Sequence, residues 1–192
     1  MQAARGTPLN EHEPEHPRRP HLVLFAVVAV AALALDVVSK IVVAAHLPLT
    51  RPTPVRLLGG AIYLDQVRNS GAAFSFGTGF TVVLTVVALA VVVVIVRTAR
   101  RLFSAGWSVA LALVLGGALG NLADRLFRSP GVGRGHVVDW ISVFGPYGQK
   151  WPIFNLADAA ITCGAVLAAV LALLGVDFDG RRTRRPSPDD DA

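Results

Sequence analysis

Four long apolar stretches, separated by polar segments, dominate the pattern of hydrophobic and polar positions. They cover about residues 22–45, 80–96, 107–122 and 155–174. An α-helix needs about 20 apolar residues to cross a bilayer core of about 30 Å, and these stretches are close to that length. The first exceeds the apolar region of a cleavable signal peptide, about 7–15 residues, so we expect it in the mature chain. The pattern predicts an α-helical integral membrane protein with four transmembrane helices.

Two segments between the apolar stretches are long enough to form structure outside the membrane. Residues 46–79 contain prolines and glycines, followed by a run with β-branched and aromatic residues around Ile62 and Tyr63. This composition is typical of strands and predicts a small β-rich element. Residues 126–152 are predicted to be a loop, and residues 22–175 a single membrane domain.

The two ends of the chain differ from this domain. Residues 1–21 and 176–192 are rich in proline and charge and have no apolar period. Such segments cannot bury enough apolar surface to offset the entropy lost on ordering. Both are predicted to be disordered tails.

The distribution of positive charge predicts the orientation in the membrane. Four spans put both termini on one side, and that side carries ten Lys and Arg residues against seven on the other. The ten are mostly clustered beside helix ends, where positive charge favours the cytoplasm. We expect both termini in the cytoplasm, and the β-rich element and the 126–152 loop on the extracytoplasmic side.

Composition excludes several classes of protein. Of the residues, 53% are hydrophobic and 16% charged, against about 25% charged in an average soluble domain. The net charge of +5 comes from arginines spread over tails and loops, without the basic stripe of a nucleic-acid-binding protein. Cys163 is the single cysteine and lies in an apolar run, which excludes an intrachain disulfide and disfavours a thiol nucleophile.

Ionisable side chains inside apolar spans are costly and require an explanation. Asp36 and Lys40 are four residues apart in the first span and therefore lie on one helix face, where they can form an ion pair. They could be a structural pair, with Lys40 reaching towards the membrane surface, or they could shape a functional site. The sequence leaves both interpretations open.

Further polar groups gather in or beside the two predicted extracytoplasmic loops. They are Asn69, Asp124, Arg125, Asp139, Asn155 and Asp158. Asp139 and Asp158 are both flanked by apolar residues at the membrane edge, and two carboxylates that share one site hold one proton between them. That is the requirement of an aspartic protease. Asp158, at the head of the fourth span, could equally be a helix cap.

Other chemistries have less support. The histidines are in the N-terminal tail or far apart in sequence, so no metal site is expected, and no motif indicates a cofactor. Gly116, Gly117 and Gly120 are typical of close helix packing. An alternative is a small transporter or proton-conducting bundle, but it should have ionisable groups on several spans, and the second span has none.

Five features resemble, in order and topological place, the motifs of the bacterial lipoprotein signal peptidases, or signal peptidase II. They are Asp36 with Lys40, and the segments NSGAAFS (69–75), GGALGNLADR (116–125), VVD (137–139) and FNLAD (154–158). The resemblance covers about residues 22–175. There are two departures: the connection between Arg125 and Val137 is longer than is usual in the family, and Trp140 replaces a common Phe.

The resemblance implies an aspartic endopeptidase of the bacterial cell membrane that uses Asp139 and Asp158 as its catalytic pair. Its substrates would be prolipoproteins with a diacylglyceryl-modified cysteine, cleaved just before that cysteine near the extracytoplasmic surface. Membrane lipids are expected contacts, and no obligate protein partner is implied. By motif, the residues that bind substrate or brace the site would be Asn69, Gly71, Ala72, Asn121, Asp124, Arg125 and Asn155, with Asp36 and Lys40.

Overall fold

The computed structural model describes residues 20–49, 53–71 and 79–180. These residues form four long helices and three strands. They are α1 (Leu22–His46), β1 (Val55–Leu57), β2 (Ile62–Asn69), α2 (Gly79–Ala99), α3 (Ala105–Phe127), β3 (Val137–Val143) and α4 (Leu156–Leu173). All four helices are long and apolar enough to cross a membrane, which confirms the predicted spans.

Helix α3 is the centre of the bundle. About 56% of the apolar stretch of α3 is buried, against 11–17% for those of the other three helices. The large aliphatic side chains of those three helices face outwards. The glycines of α3 permit its central position. A Cβ at Gly116 would lie 2.6 Å from the Ala29 carbonyl oxygen of α1, and one at Gly117 would lie 2.8 Å from Ile161 Cγ1 of α4. The predicted packing role of these glycines is confirmed.

The strands form one antiparallel sheet in the order β1-β2-β3. The predicted β-rich element supplies β1 and β2, but β3 comes from the segment predicted to be a loop, so the sheet joins the two extramembrane segments. Val138 of β3 is fully buried against Val43 and Leu47 at the end of α1. This contact holds the sheet on the same end of the bundle as the start of α4.

The ends of the described chain pack on the α2–α3 turn. The His21 N–H donates to the Leu102 carbonyl at 2.9 Å, and the Phe178 carbonyl accepts from the Phe103 N–H at 2.9 Å. The Phe178 ring lies 4.5 Å from the Trp107 ring. Packed structure therefore continues beyond the predicted domain boundary at residue 175. Residues 1–19 and 181–192 of the predicted tails lie outside the described residues.

Candidate active site

Asp139 lies in the middle of β3 and is almost fully buried. Its Oδ2 accepts a hydrogen bond from Asn69 Nδ2 at 2.8 Å, and its Oδ1 accepts one from Asn155 Nδ2 at 2.6 Å. Asn69 is in reach because Val67 pairs with Asp139 in the sheet, which places Asn69 diagonally on the same face. The Gly71 N–H donates to Asn69 Oδ1 at 2.7 Å and turns the amide nitrogen towards the carboxylate.

Asp158 lies in the first turn of α4 and is half-buried. It forms a capping box with Asn155: the Asp158 N–H donates to Asn155 Oδ1 at 3.0 Å, and the Asn155 N–H donates to Asp158 Oδ2 at 3.2 Å. The predicted cap is therefore present. The other carboxylate oxygen, Oδ1, accepts from Asn121 Nδ2 at 2.8 Å. Capping thus uses one oxygen and leaves the other facing α3.

Two asparagines connect the carboxylates. Asn155 Nδ2, which donates to Asp139, also donates to Asn121 Oδ1 at 3.2 Å, and Asn121 donates to Asp158. The chain of contacts runs from β3 through α4 and α3 and back to α4. Asp139 and Asp158, which we call the dyad, are thus held in one polar cluster by side-chain amides.

A second polar cluster lies behind these asparagines, buried between α1 and α3. We call it the Lys40 cluster; it comprises Asp36, Lys40 and Asp124. Lys40 Nζ lies 2.7 Å from Asp36 Oδ2 and 3.0 Å from Asp124 Oδ2, and it donates to Asn121 Oδ1 at 3.0 Å. The predicted ion pair of Asp36 and Lys40 is present. Lys40 also contacts Asn121, which donates to Asp158 of the dyad.

The Lys40 cluster also holds the two elements that carry the dyad. Asp36 Oδ1 accepts from the Ala157 N–H at 2.9 Å, which joins α1 to the first turn of α4. Asp124 Oδ2 accepts from the Val138 N–H at 3.1 Å, which joins α3 to β3 next to Asp139. The sequence left open whether Asp36 and Lys40 are a structural pair or shape a site. The contacts of their cluster fit both interpretations, because they join helices and strands that also carry the dyad.

Electrostatics bring the pKa of Asp139 closer to neutral pH. Burial raises the pKa of Asp139 from 3.8 to about 6, and the nearby Asp158 carboxylate also raises it, although hydrogen bonds from Asn69 and Asn155 act in the opposite direction. Burial has this effect because it penalises the charged form of a carboxyl group. The dyad therefore has one carboxyl group poised to gain or lose a proton.

Arg125 lies beside the dyad on the last turns of α3. Its NH1 donates to the Asn121 carbonyl at 3.3 Å, and the charges of Asp158, Asp139 and Asp124 all act on it. Within the described part of the chain, its Nε is buried and has no hydrogen-bond partner. A buried N–H without a partner is uncommon, and here it is available to a further acceptor.

Two openings give access to the dyad from different directions. An apolar groove of about 250 Å³ reaches Asp158 along α4, between Trp151 and Phe154 on one side and Thr162 and Cys163 on the other. A wider cleft of about 490 Å³ reaches Asp139 along the edge of the sheet. A chain lying across the dyad could therefore have one part against α4 and another against β2.

The sequence reasoning missed several residues that line these openings. Tyr147, Pro152 and Ile153 line the cleft, and Trp151 and Phe154 line the groove. The signal that could have indicated them is the density of aromatic and proline residues in 144–154, directly before a membrane span.

Arg128 is a further residue that was not predicted. Its Nε donates to Asp124 Oδ1 and forms an ion pair with it. Among the predicted residues, Ala72 lies outside the described part of the chain. Within that part, no group of three or more His, Cys, Asp or Glu residues is placed to hold a metal ion.

Comparisons with known proteins show what the chain is similar to. Residues 28–174 match a family model described as Signal peptidase (SPase) II. The chain is 52% identical to a lipoprotein signal peptidase of Rhodococcus jostii over 87% of this chain and 79% of the relative. It is 50% identical to one of Mycolicibacterium smegmatis over 95% and 74%. A solved structure described as a bacterial membrane enzyme superposes with a TM-score of 0.70 at 25% identity, covering 82% of this chain and 98% of that one.

Proposed function

The chain belongs to the signal peptidase II family, the lipoprotein signal peptidases, and within that family we propose that it is an aspartic endopeptidase with Asp139 and Asp158 as its catalytic groups. The observation that carries this proposal is the dyad itself. Two carboxyl groups from separate elements share one amide-lined cluster, and one of them has a pKa raised to about 6. Ionisable groups that line a transport path through the bilayer would instead be spread over its depth.

In the proposed mechanism, the dyad holds one proton. The ionised carboxylate acts as general base on a water molecule, and the protonated partner supplies its proton as the peptide bond breaks. Because the two groups interact closely, the roles of base and acid belong to the pair rather than to either residue alone. Asn69, Asn121 and Asn155 keep the carboxyl groups in place while the proton moves.

Arg125 is the proposed binding group for the substrate. Its Nε is a buried donor next to the dyad and has no partner among the described residues, and a peptide carbonyl oxygen would be a suitable acceptor. A fixed donor aimed at an oxygen that gains negative charge in the reaction stabilises the transition state. We propose that Arg125 polarises the scissile carbonyl or an adjacent one.

The groove supports a substrate that is anchored in the membrane. It begins at Asp158 and is lined along α4 by apolar and small side chains, including the exposed Cys163. A diacylglyceryl-modified prolipoprotein is held in the bilayer by its signal helix and its lipid, so its cleavage site lies at the bilayer surface. We propose that cleavage occurs just before the lipidated cysteine, and that the lipid-anchored part of the substrate enters along α4.

The test is a cleavage assay on a purified prolipoprotein, with and without the diacylglyceryl group. We expect the shortened product from the lipidated substrate and none from the same reaction with Asp139→Asn. Asp65→Asn is the matched control, because Asp65 is an aspartate of the same sheet outside both polar clusters and should keep its activity. Equal cleavage of both substrates would contradict the lipid requirement, and activity in Asp139→Asn would contradict the dyad.

We also propose that both termini are cytoplasmic and that the dyad is near the extracytoplasmic surface. Clusters of arginine beside the α2–α3 turn and in the terminal segments support this orientation. After replacement of Cys163 by Ala, a cysteine at Ala61 should react with an impermeant thiol reagent added outside the cell, and one at Thr98 should not. The reverse pattern would put the dyad on the cytoplasmic side.

A further inference from the structure

A third cavity, of about 480 Å³, lies between the end of α1, β2 and the connection that follows α3. It is lined by Leu49, Arg68, Phe127, Arg128, Ser129 and His136. Arg68 pairs with Val138 in the sheet, one residue away from Asp139. Successive side chains of a strand point to opposite faces, so Arg68 lies on the face that packs Val138 against α1. Arg68 also lines the cleft at Asp139, but neither aspartate of the dyad lines this cavity.

The cavity concentrates positive charge. Burial lowers the pKa of Arg68, and the nearby Arg128 guanidinium lowers it further, whereas Asp124 raises it. Asp124 is already shared, because it pairs with both Lys40 and Arg128. Two guanidinium groups and the imidazole of His136 thus face one cavity whose nearby carboxylate also neutralises Lys40. An anion bound there would relieve the repulsion between Arg68 and Arg128.

The rim of the cavity is apolar. Phe127 is 85% exposed and Leu49 is 57% exposed. Phe127 is the last residue of the membrane-spanning helix α3, and Leu49 closely follows the end of α1. The cationic interior and the apolar rim therefore meet where two spans reach the edge of the bilayer, which is the level of lipid headgroups.

We propose that this cavity binds the phosphodiester headgroup of an anionic phospholipid, with the acyl chains lying against Phe127 and Leu49. The planar guanidinium groups of Arg68 and Arg128 match the geometry of phosphate oxygens, and Ser129 and His136 offer further hydrogen-bonding groups at the wall. Basic pockets between membrane helices bind anionic headgroups in this way. An acidic peptide could use the same charges, but it would not explain an apolar rim at the helix ends.

Native mass spectrometry of the purified full chain in detergent tests the proposal. The chain is titrated with phosphatidylglycerol or with phosphatidylcholine of the same acyl chains, and the bound lipid is counted. We expect preferential retention of phosphatidylglycerol, reduced about fivefold in Arg68→Gln and less in Arg68→Lys, which keeps the charge but loses the planar fork. Arg134→Gln is the matched control: Arg134 is exposed in the same connection, does not line the cavity, and should retain the lipid normally.

Several outcomes would overturn the proposal. They are equal retention of the two lipids, equal loss in Arg68→Gln and Arg134→Gln, displacement of the lipid by inorganic phosphate at equal concentration, and displacement by an acidic peptide. The thermal unfolding of each variant is first measured without added lipid to establish that it is folded. If Arg68→Gln does not fold, His136→Gln replaces it, and lipid retention unchanged from the wild-type chain in that folded variant would equally overturn the proposal.

Discussion

The two buried acidic clusters use the same side-chain type in different ways. In the Lys40 cluster, Asp36 and Asp124 both contact one ammonium group, at 2.7 and 3.0 Å. In the dyad, the hydrogen-bond partners of Asp139 and Asp158 are amides. A cation in direct contact stabilises the ionised form of a carboxyl group, whereas burial raises the pKa of Asp139, whose hydrogen-bond partners are amides. The Lys40 cluster is therefore suited to holding the fold together, and the dyad is suited to proton transfer.

The sharpest test of this difference replaces a carboxyl group of the dyad by an amide. Asp139→Asn and Asp158→Asn should each lower the cleavage rate by about 10²- to 10⁴-fold or more, because an amide cannot exchange the proton. The protein should still fold and insert, since the replacement keeps the size and shape of the side chain. Cleavage rates and melting curves of the purified variants check this. Near-normal turnover in either folded variant would remove the distinction between the clusters.

The converse test removes the cation. Lys40→Met leaves Asp36 and Asp124 buried without their shared partner, and breaking a buried ion cluster in this way costs about 3–5 kcal/mol. We expect a large loss of folded protein in the membrane and a lower melting temperature. Lys150, the other lysine of the chain, is exposed, and Lys150→Met therefore serves as the control. If Lys40→Met melts like the Lys150 variant, the Lys40 cluster does not stabilise the fold.

A pH series distinguishes the clusters more finely. The folded protein holds the neutral form of Asp139 more tightly than the unfolded chain does, because its pKa rises from 3.8 to about 6. The resulting stability is fully present below pH 3.8 and is lost as the pH rises through 6. The melting temperature of Asp139→Asn minus that of the wild-type chain should therefore increase by roughly a few degrees as the pH is raised from 4.5 to 7.5. A difference that does not change with pH would contradict the raised pKa.

The smallest effect is expected at the chain ends, which are far in sequence from both clusters. Removing residues 2–15 and 186–192 keeps Arg18, Arg19 and the four C-terminal arginines, so the orientation signal is retained. The trimmed enzyme should insert normally and cleave at close to the full rate. A large loss of turnover at normal membrane levels would reveal a regulatory or partner-binding role for an end segment.

The sequence predicts the helices well because each carries its own apolar signal. It also indicates the polar residues of both clusters, because a charge such as Lys40 in a span stands out. It does not predict β3. Residues 137–143 form a short run whose partner strand lies about 70 positions earlier, and no local pattern specifies that pairing or the register that brings Asn69 to Asp139.

The openings around the dyad could not be read from the sequence for a related reason. Trp151 and Phe154 line the groove because the Phe154 backbone bridges to Ile141 of β3, a contact between two extramembrane segments. Such contacts depend on how loops fold back, and composition carries little information about that.

The spacing of Asp36 and Lys40 has a consequence for biosynthesis. Their other partners, Asn121, Asp124 and the Ala157 N–H, lie on α3 and α4, which leave the ribosome long after α1. A lone charge in α1 would have to enter the lipid uncompensated at that stage. Because the pair is one helical turn apart, α1 brings a counterion with it, and the first span can be inserted before the rest of the bundle exists to receive it.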